Sequence, residues 1–404
     1  MKIPPLLSTN WGFCEGVRWF SGDSSRACYT HRGVNGFRFE LLSGEAIGPR
    51  LGRLHTPRGI VRTPAFMPVG TQATVKGLTS EEVQQIGAEM ILANTFHLYL
   101  RPGADVIERA GGLHRFMRWE GPILTDSGGF QIFSLARLRR LTDEGVTFRS
   151  PLDGAEHLFT PERVLEIQRQ LGSDLVMPLD VCLGYPADDE KAKEALRLTL
   201  QWARRSRAHA AGDGQMLFGI VQGGFSPALR REAVARTVEM AFDGYAIGGL
   251  SVGEPREATA QLVEQTCAGL PADHPRYLMG VGAPPDLLDA VSLGVDLFDC
   301  VLPTRVARTG TIFTRRGRVN VRNAAFREDA GPPDEGCRCA VCIRYTRSYL
   351  RHLFNADEML GPRLATYHNL SFLAQLMEDT RTAIAGNRFD AWRREVLGAY
   401  VTPW

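Results

Sequence analysis

The chain has 404 residues, 44% of them hydrophobic and 23% charged, which is the composition of a folded globular protein and excludes disordered and fibrous architectures. No run approaches the roughly 18 consecutive apolar residues of a membrane helix, and the opening stretch MKIPPLLSTNWGFCEG lacks a continuous apolar signal core, so the expected compartment is the cytoplasm. Forty-seven basic against 45 acidic residues leave a net charge of +2, which announces no polyanionic partner without a local patch, and eight cysteines are too few for a disulfide scaffold.

In chain order, residues 1–36 show neither periodicity nor low complexity and are expected to form an extension outside the fold, disordered or lying upstream of a native start near Val34. Residues 37–64 alternate in the manner of antiparallel strands and are expected to cap one end of the main domain. Eight short apolar runs come next: AFMPVGT (65–71), EMILANT (89–95), GPILTDS (121–127), DLVMPLD (174–180), LFGIVQG (217–223), YAIGGLS (245–251), RYLMGVG (276–282) and VDLFDCV (295–301). None alternates apolar with polar, so each reads as a strand buried on both faces. Stretches such as TSEEVQQIGAEM, TPERVLEIQRQLGSD, SPALRREAVARTVEM and PPDLLDAVSLGVD lie between them and read as helices, several opening on a Thr or Ser cap. Strand and helix in alternation predict an α/β fold, either an open doubly wound sheet or a closed (β/α)8 TIM barrel. The count of eight favours the barrel, spanning residues 37–404.

Two segments interrupt the repeat. Residues 131–173 follow the third strand and contain VTFRSPLDG, which predicts a hairpin; residues 302–367 delay the last helix. Within the second, Cys337, Cys339 and Cys342, with His368 of TYHNL, offer three thiolates and an imidazole. That is a closed tetrahedral set for a structural Zn2+, as against three buried thiols, and His368 is the weaker choice because the chain has nine histidines. The segment also carries Arg305, Arg308, Arg315, Arg316, Arg318 and Arg322 with no acid before Glu328, a local basic patch suited to a nucleic-acid backbone unless it is simply a solvated hairpin.

Polar residues fall at the C-terminal ends of the strand runs: Asn94, Asp126, Asp180, Gln222 and Asp299. A barrel gathers those ends on one face, where barrel enzymes build their sites, although any single Asp could merely cap the next helix. Carboxylates facing one pocket suit reactions at a sugar carbon, and the glycine-rich ends YAIGGLS and FGIVQGG would let a flat base approach backbone amides.

At TDSGGFQ, PLDVC, FGIVQGG, YAIGGLSVGE, YLMGVG, FDCVLPTR and the Cys337 to His368 set, the sequence closely resembles the bacterial queuine tRNA-ribosyltransferases, or tRNA-guanine transglycosylases, over residues 37–404. The resemblance implies a (β/α)8 barrel with an inserted zinc subdomain. It further implies exchange of guanine at the wobble position of tRNAs with GUN anticodons (Asp, Asn, His, Tyr) for 7-aminomethyl-7-deazaguanine, an intermediate of queuosine synthesis. Asp299 matches the nucleophile that forms a covalent ribosyl link, and Asp126 matches the general acid and base. Asp180 would bind the donor edge of the purine, Gln222 and the Gly249 amide its carbonyl oxygen, and the Leu250 carbonyl the aminomethyl group, with Glu254 steadying that peptide. Phe130 and Met279 match the walls that sandwich the base, Ser127 and Gly280 line the pocket, and Arg305 and Arg308 match positions that grip neighbouring nucleotides. Val252 and Cys182 fit the bacterial preference for the aminomethyl base over queuine. Phe116, Tyr345, Tyr349 and His352 match an aromatic homodimer interface, though on spacing alone the last three could equally be a buried stripe. Two rivals stand beside this reading: a carboxylate-pair glycoside hydrolase on the same barrel, and a catalytically silent tRNA-binding subunit, which the presence of both Asp126 and Asp299 argues against.

Overall fold

Runs of Val, Ile, Leu and Met without polar alternation pack only where both faces are covered, and the eight runs do so as one ring of parallel strands. A computed structural model describes residues 29–32, 36–45, 47–135, 139–210 and 214–401. The order around the ring is Ala65–Met67, Leu297–Asp299, Arg276–Leu278, Gly244–Ile247, Met216–Val221, Leu175–Val176, Ile123–Thr125, Ile91–Ala93 and Val69–Gly70, every neighbouring pair parallel. The first and last of these nine strands are one stretch of chain divided at Pro68. Proline has no N–H to give to a ladder, but its carbonyl still accepts from Leu92 N at 3.0 Å. The nine strands therefore fill eight positions and the ring closes, which decides for the barrel over the doubly wound sheet.

The predicted return helices form where their caps predict. Thr79 caps Ser80–Gln85 in a reciprocal box with Glu82, Thr160 caps Pro161–Leu171, and Ser226 caps Pro227–Glu239. Pro284–Ser292 starts on prolines, whose fixed φ suits the first turn. A 21-residue helix, Asp189–His209, returns the chain after the fourth barrel strand.

The N-terminal segment forms the predicted antiparallel sheet, Arg38–Ser43, Leu51–Thr56 and Gly59–Thr63, with Tyr29–Arg32 added on the outside. The stretch 1–36, expected to stand outside the fold, thus contributes one strand; residues 1–28 and 33–35 lie outside the described residues. Phe39, Leu41, Leu54 and Val61 pack against Met67, Leu92, Leu124, Leu175, Phe218 and Leu297 from the barrel interior. Ion pairs fix which end is plugged. Arg50 meets Asp296 at 3.2 Å with both side chains fully buried, Arg58 meets Asp174 at 3.1 Å, and each Asp immediately precedes a barrel strand. The sheet therefore covers the N-terminal end, where removing one partner of a buried pair typically costs about 3–5 kcal/mol, and the opposite mouth stays open.

The third-strand insertion holds the expected hairpin, Val146–Arg149 with Glu156–Phe159, and a third strand, Arg139–Leu141, that no sequence pattern announced. Residues 302–367 contain the short helix Leu302–Ala307, the hairpin Thr311–Thr314 with Gly317–Asn320, and the helix Arg347–Asn355. The expected boundary at 367 falls inside a continuous helix, Leu360–Ala385, so His368 is part of the final barrel helix itself. Among the described residues no helix is long and apolar enough to cross a membrane.

Candidate active site

Asn94, Asp126 and Gln222 each directly follow a barrel strand, Asp299 ends one, and Asp180 lies just beyond Leu175–Val176, so all five project from the open mouth. Their carboxylates are then fixed by donors from neighbouring strands. Asp126 Oδ2 accepts from Asn94 Nδ2 at 2.6 Å and Oδ1 from Thr95 N at 2.8 Å. Asp180 Oδ1 accepts from Ser127 Oγ at 3.0 Å, and Oδ2 from Gln222 Nε2 at 2.7 Å. Asp299 Oδ1 accepts from both Tyr277 OH at 2.6 Å and Gly280 N at 2.8 Å, so both of these bonds fall on one oxygen. These acids are engaged across the barrel mouth: among the described residues none accepts from a backbone N–H of the helix that follows it, and Asp126 takes instead the first N–H of the helix Thr95–Leu100 after the neighbouring strand.

Burial disfavours charge on all three carboxyls and raises their pKa values. For Asp126 burial lifts it to about 6 against the pull of Asn94, Thr95 and Gln131, and the negative charge of Asp299 adds to the rise. The charge of Asp299 thus reaches Asp126 across the mouth, and both act on the Tyr277 phenol. Burial also pushes the Tyr277 phenol well above its ordinary value, so its OH remains a donor to Asp299.

The glycine-rich turns form the side of the pocket beyond Asp180. Gly249 has φ +66, and a β-carbon there would stand 2.3 Å from Gln222 Oε1, so both the backbone conformation and the close approach of Gln222 require glycine. Two residues on, Ser251 N and Val252 N donate to the Glu254 carboxylate, the second at 2.9 Å, and Thr259 Oγ1 donates to it at 2.7 Å. A trans peptide points its N–H and C=O in opposite directions, so holding Ser251 N turns the Leu250 carbonyl the other way. Phe130, 49% exposed, opens the helix Gly129–Leu135 beside Ser127, and Met279 and Gly280 follow the strand that carries Tyr277. Cys182 is buried, and its thiol is pushed up to about 12 by desolvation, so it stays protonated.

The arginine segment is less uniformly available than its sequence promised. Arg305 on the short helix that follows Asp299 and Arg308 at its end are exposed, Arg308 Nη1 donating to the Thr304 carbonyl at 3.0 Å, but Arg315 pairs with Asp334 at 3.0 Å and Arg322 with Asp357 at 3.4 Å, acids that fold back from outside the segment. Tyr345 and Tyr349 stack with centroids 5.4 Å apart; Tyr349, His352 and Phe116 are not buried, so this aromatic stripe is superficial and not an internal packing seam.

Cys337, Cys339, Cys342 and His368 converge, with all four donor atoms within 4.8 Å of one another, and could hold a metal ion. His368 Nε2 lies 2.7 Å from the Phe313 carbonyl, which makes it the protonated nitrogen and turns the Nδ1 lone pair toward the sulfurs of Cys339 and Cys342 at 3.5 and 3.3 Å. A tetrahedral ion with metal–sulfur bonds of about 2.3 Å and metal–nitrogen bonds of about 2.0 Å sets S···N separations near 3.5 Å. The donor set fits such an ion.

Sequence reasoning named Asn94 only as a strand end and missed Thr95, Tyr277 and Arg230. Tyr277 and Arg230 lie in runs read as core strand and helix, and no spacing signal marks their bonds to Asp299 and Gly248, which lie 22 and 18 residues away.

The family model described as "Queuine tRNA-ribosyltransferase" matches residues 46–402. A queuine tRNA-ribosyltransferase of Caldanaerobacter subterraneus subsp. tengcongensis is 57% identical over 352 residues, 87% of this chain and 94% of the relative. One from Thioalkalivibrio sulfidiphilus is 55% identical over 361 residues, 89% of this chain and 97% of its own. One from Solidesulfovibrio magneticus is 56% identical over 364 residues, 90% and 97% respectively.

Proposed function

Since the chain belongs to the queuine tRNA-ribosyltransferase family, a family of pentosyltransferases, we propose that it exchanges guanine at the wobble position of GUN-anticodon tRNAs for 7-aminomethyl-7-deazaguanine through a covalent ribosyl–Asp299 intermediate. The observation that carries this reading is the pairing of Asp126 and Asp299 across one mouth, flanked by a hydrogen-bonding wall of Ser127, Asp180, Gln222 and Gly249. A wobble base in an anticodon loop is already single-stranded, which lowers the cost of moving it into such a pocket.

In the first half-reaction the Asp299 carboxylate attacks the anomeric carbon as the bond to guanine N9 breaks. The bonding pair leaves with the purine, which takes a proton from Asp126. In the second, the ionised Asp126 removes the N9 proton of the incoming base, N9 attacks the same carbon, and the Asp299 carboxylate departs. Asp180 accepts from the donor edge of the base, Gln222 and the Gly249 amide hold its carbonyl oxygen, and Phe130 and Met279 cover its faces and keep water from the sugar. The outward Leu250 carbonyl, set by Glu254, offers an acceptor to the aminomethyl group, and Val252 on the same turn leaves less room than glycine would for the larger queuine. Arg305 and Arg308 take the flanking phosphates, and the Phe116, Tyr345, Tyr349 and His352 surface joins two copies of the chain.

Unmodified tRNA with radiolabelled guanine tests the reaction: label enters RNA, and unlabelled 7-aminomethyl-7-deazaguanine chases it out. Abasic or cleaved RNA without incorporation identifies a hydrolase instead.

Zn2+ held by Cys337, Cys339, Cys342 and His368 would tie the insertion to the last barrel helix with no ligand position left for water, a structural role. Cys339→Ala is expected to reduce bound zinc from about one equivalent to near zero and to lower the melting temperature by about 10 °C or more. Elemental analysis and calorimetry check this, and an unchanged melt in a metal-free variant removes the structural assignment.

A further inference from the structure

Arg230 lies in the first turns of the helix Pro227–Glu239, fully buried behind the two glycine-rich turns. Its Nε donates to the Gly224 carbonyl at 2.9 Å and its Nη2 to the Gly248 carbonyl at 2.9 Å, so one planar fork bridges turns that belong to adjacent barrel strands. Its Nη1 has no hydrogen-bond partner, and no carboxylate pairs with it within ion-pair distance among the described residues. Burial of the guanidinium is costly and lowers its pKa to about 10, with Glu254 acting on it only through its charge and not through a direct pair, and a neutral side chain of similar volume would satisfy packing alone. The two carbonyls are what only a forked donor reaches together.

We propose that Arg230 is a positioning residue that aims the Gly249 amide at the carbonyl oxygen of the bound base, an inference that rests on the base-exchange reading above. The Gly248–Gly249 peptide is gripped at its carbonyl, so its N–H points away from Arg230 and toward the mouth. No protein acceptor takes the Gly249 N–H among the described residues, whereas Gly248 N is committed to the Val221 carbonyl at 3.0 Å. A charged donor on the carbonyl also polarises the peptide and strengthens the N–H as a donor. Arg230 and Glu254 thus act on successive stretches of one turn with opposite sense: the first holds a carbonyl and projects an N–H, the second holds an N–H and projects a carbonyl.

The test compares guanine with 2-aminopurine, which lacks the 6-oxygen, as competitors of labelled-guanine incorporation by the full-length zinc-loaded enzyme and by its Arg230→Lys and Arg230→Met variants. The wild-type preference for guanine over 2-aminopurine is expected to fall about tenfold in both variants, through weaker guanine binding with 2-aminopurine little changed. Equal weakening of both bases, or no change in either, overturns the proposal, because a merely structural role has no reason to distinguish the 6-oxygen. Loss of a cooperative melt in both variants assigns Arg230 to the core and overturns it too. Absence of incorporation by the wild type is a different failure: it sinks the base-exchange reading, whereas incorporation with an unaltered preference sinks only the role of Arg230.

Discussion

Asp299→Asn is expected to slow guanine exchange by at least about 1,000-fold and to abolish any protein–RNA species that survives denaturing electrophoresis, with tRNA binding retained. The substitution is nearly isosteric. An amide oxygen at the Oδ1 position still accepts from Tyr277 OH and Gly280 N, so the side chain keeps its place and loses only its charge and nucleophilicity. Burial disfavours the Asp299 carboxylate, and the neutral amide removes that burden, so the variant should melt no lower than wild type at neutral pH. Asp299→Glu offers the complementary control: it keeps a carboxylate but extends it past the two donors that orient it, and should be nearly as slow. Wild-type exchange by the Asn variant would falsify covalent catalysis by this residue and return the silent-subunit or non-covalent readings to consideration.

The barrel was legible because parallel strands buried on both faces leave an unbroken apolar trace, and because Thr79, Thr160 and Ser226 mark the helices between them. The three mouth acids were legible for a related reason: where an apolar run ends in Asp at several strands, the closed ring brings those ends to one rim. Their hydrogen-bond partners were not legible. Tyr277 reads as one more core aromatic of its strand, and only the register against Leu297–Asp299 brings its hydroxyl to Asp299. Arg230 reads as a charge on an amphipathic helix, yet it turns inward to two carbonyls. The arginine strip was over-read for the same cause, since Asp334 and Asp357 approach Arg315 and Arg322 only in three dimensions. The strand Arg139–Leu141, exposed along its length, carries no apolar signature at all.

Asp126→Asn is expected to slow exchange by about 100- to 10,000-fold, the usual contribution of a positioned acid or base, and to change the pH response of the two half-reactions in ways that differ. With Asp126 at about 6, the group sits where it can carry a proton at one step and accept one at the next. Forming the ribosyl link needs Asp126 protonated and Asp299 ionised, so its single-turnover rate should fall as pH rises through the Asp126 titration. It should also fall in acid, where Asp299 takes up its own proton; the two titrations belong to the coupled pair. Discharge of the link by 7-aminomethyl-7-deazaguanine needs Asp126 ionised while Asp299 is a neutral ester, so its rate should fall only toward acid, with a single inflection. Loss of the Asp299 charge removes one cause of the raised Asp126 pKa, and that inflection should lie below about 6. The Asn variant should lack the Asp126-dependent limb in both steps. Stability moves the opposite way. The folded-state value of Asp126 lies above its ordinary 3.8, so protonation favours the fold fully below about pH 4, and that contribution, up to about 3 kcal/mol, is lost as pH rises through about 6. Asp126→Asn should therefore melt higher than wild type at pH 8 and converge with it at pH 4. A variant equally slow but less stable at pH 8 would show that the carboxylate is retained for packing with Asn94 and Thr95 and not for proton transfer.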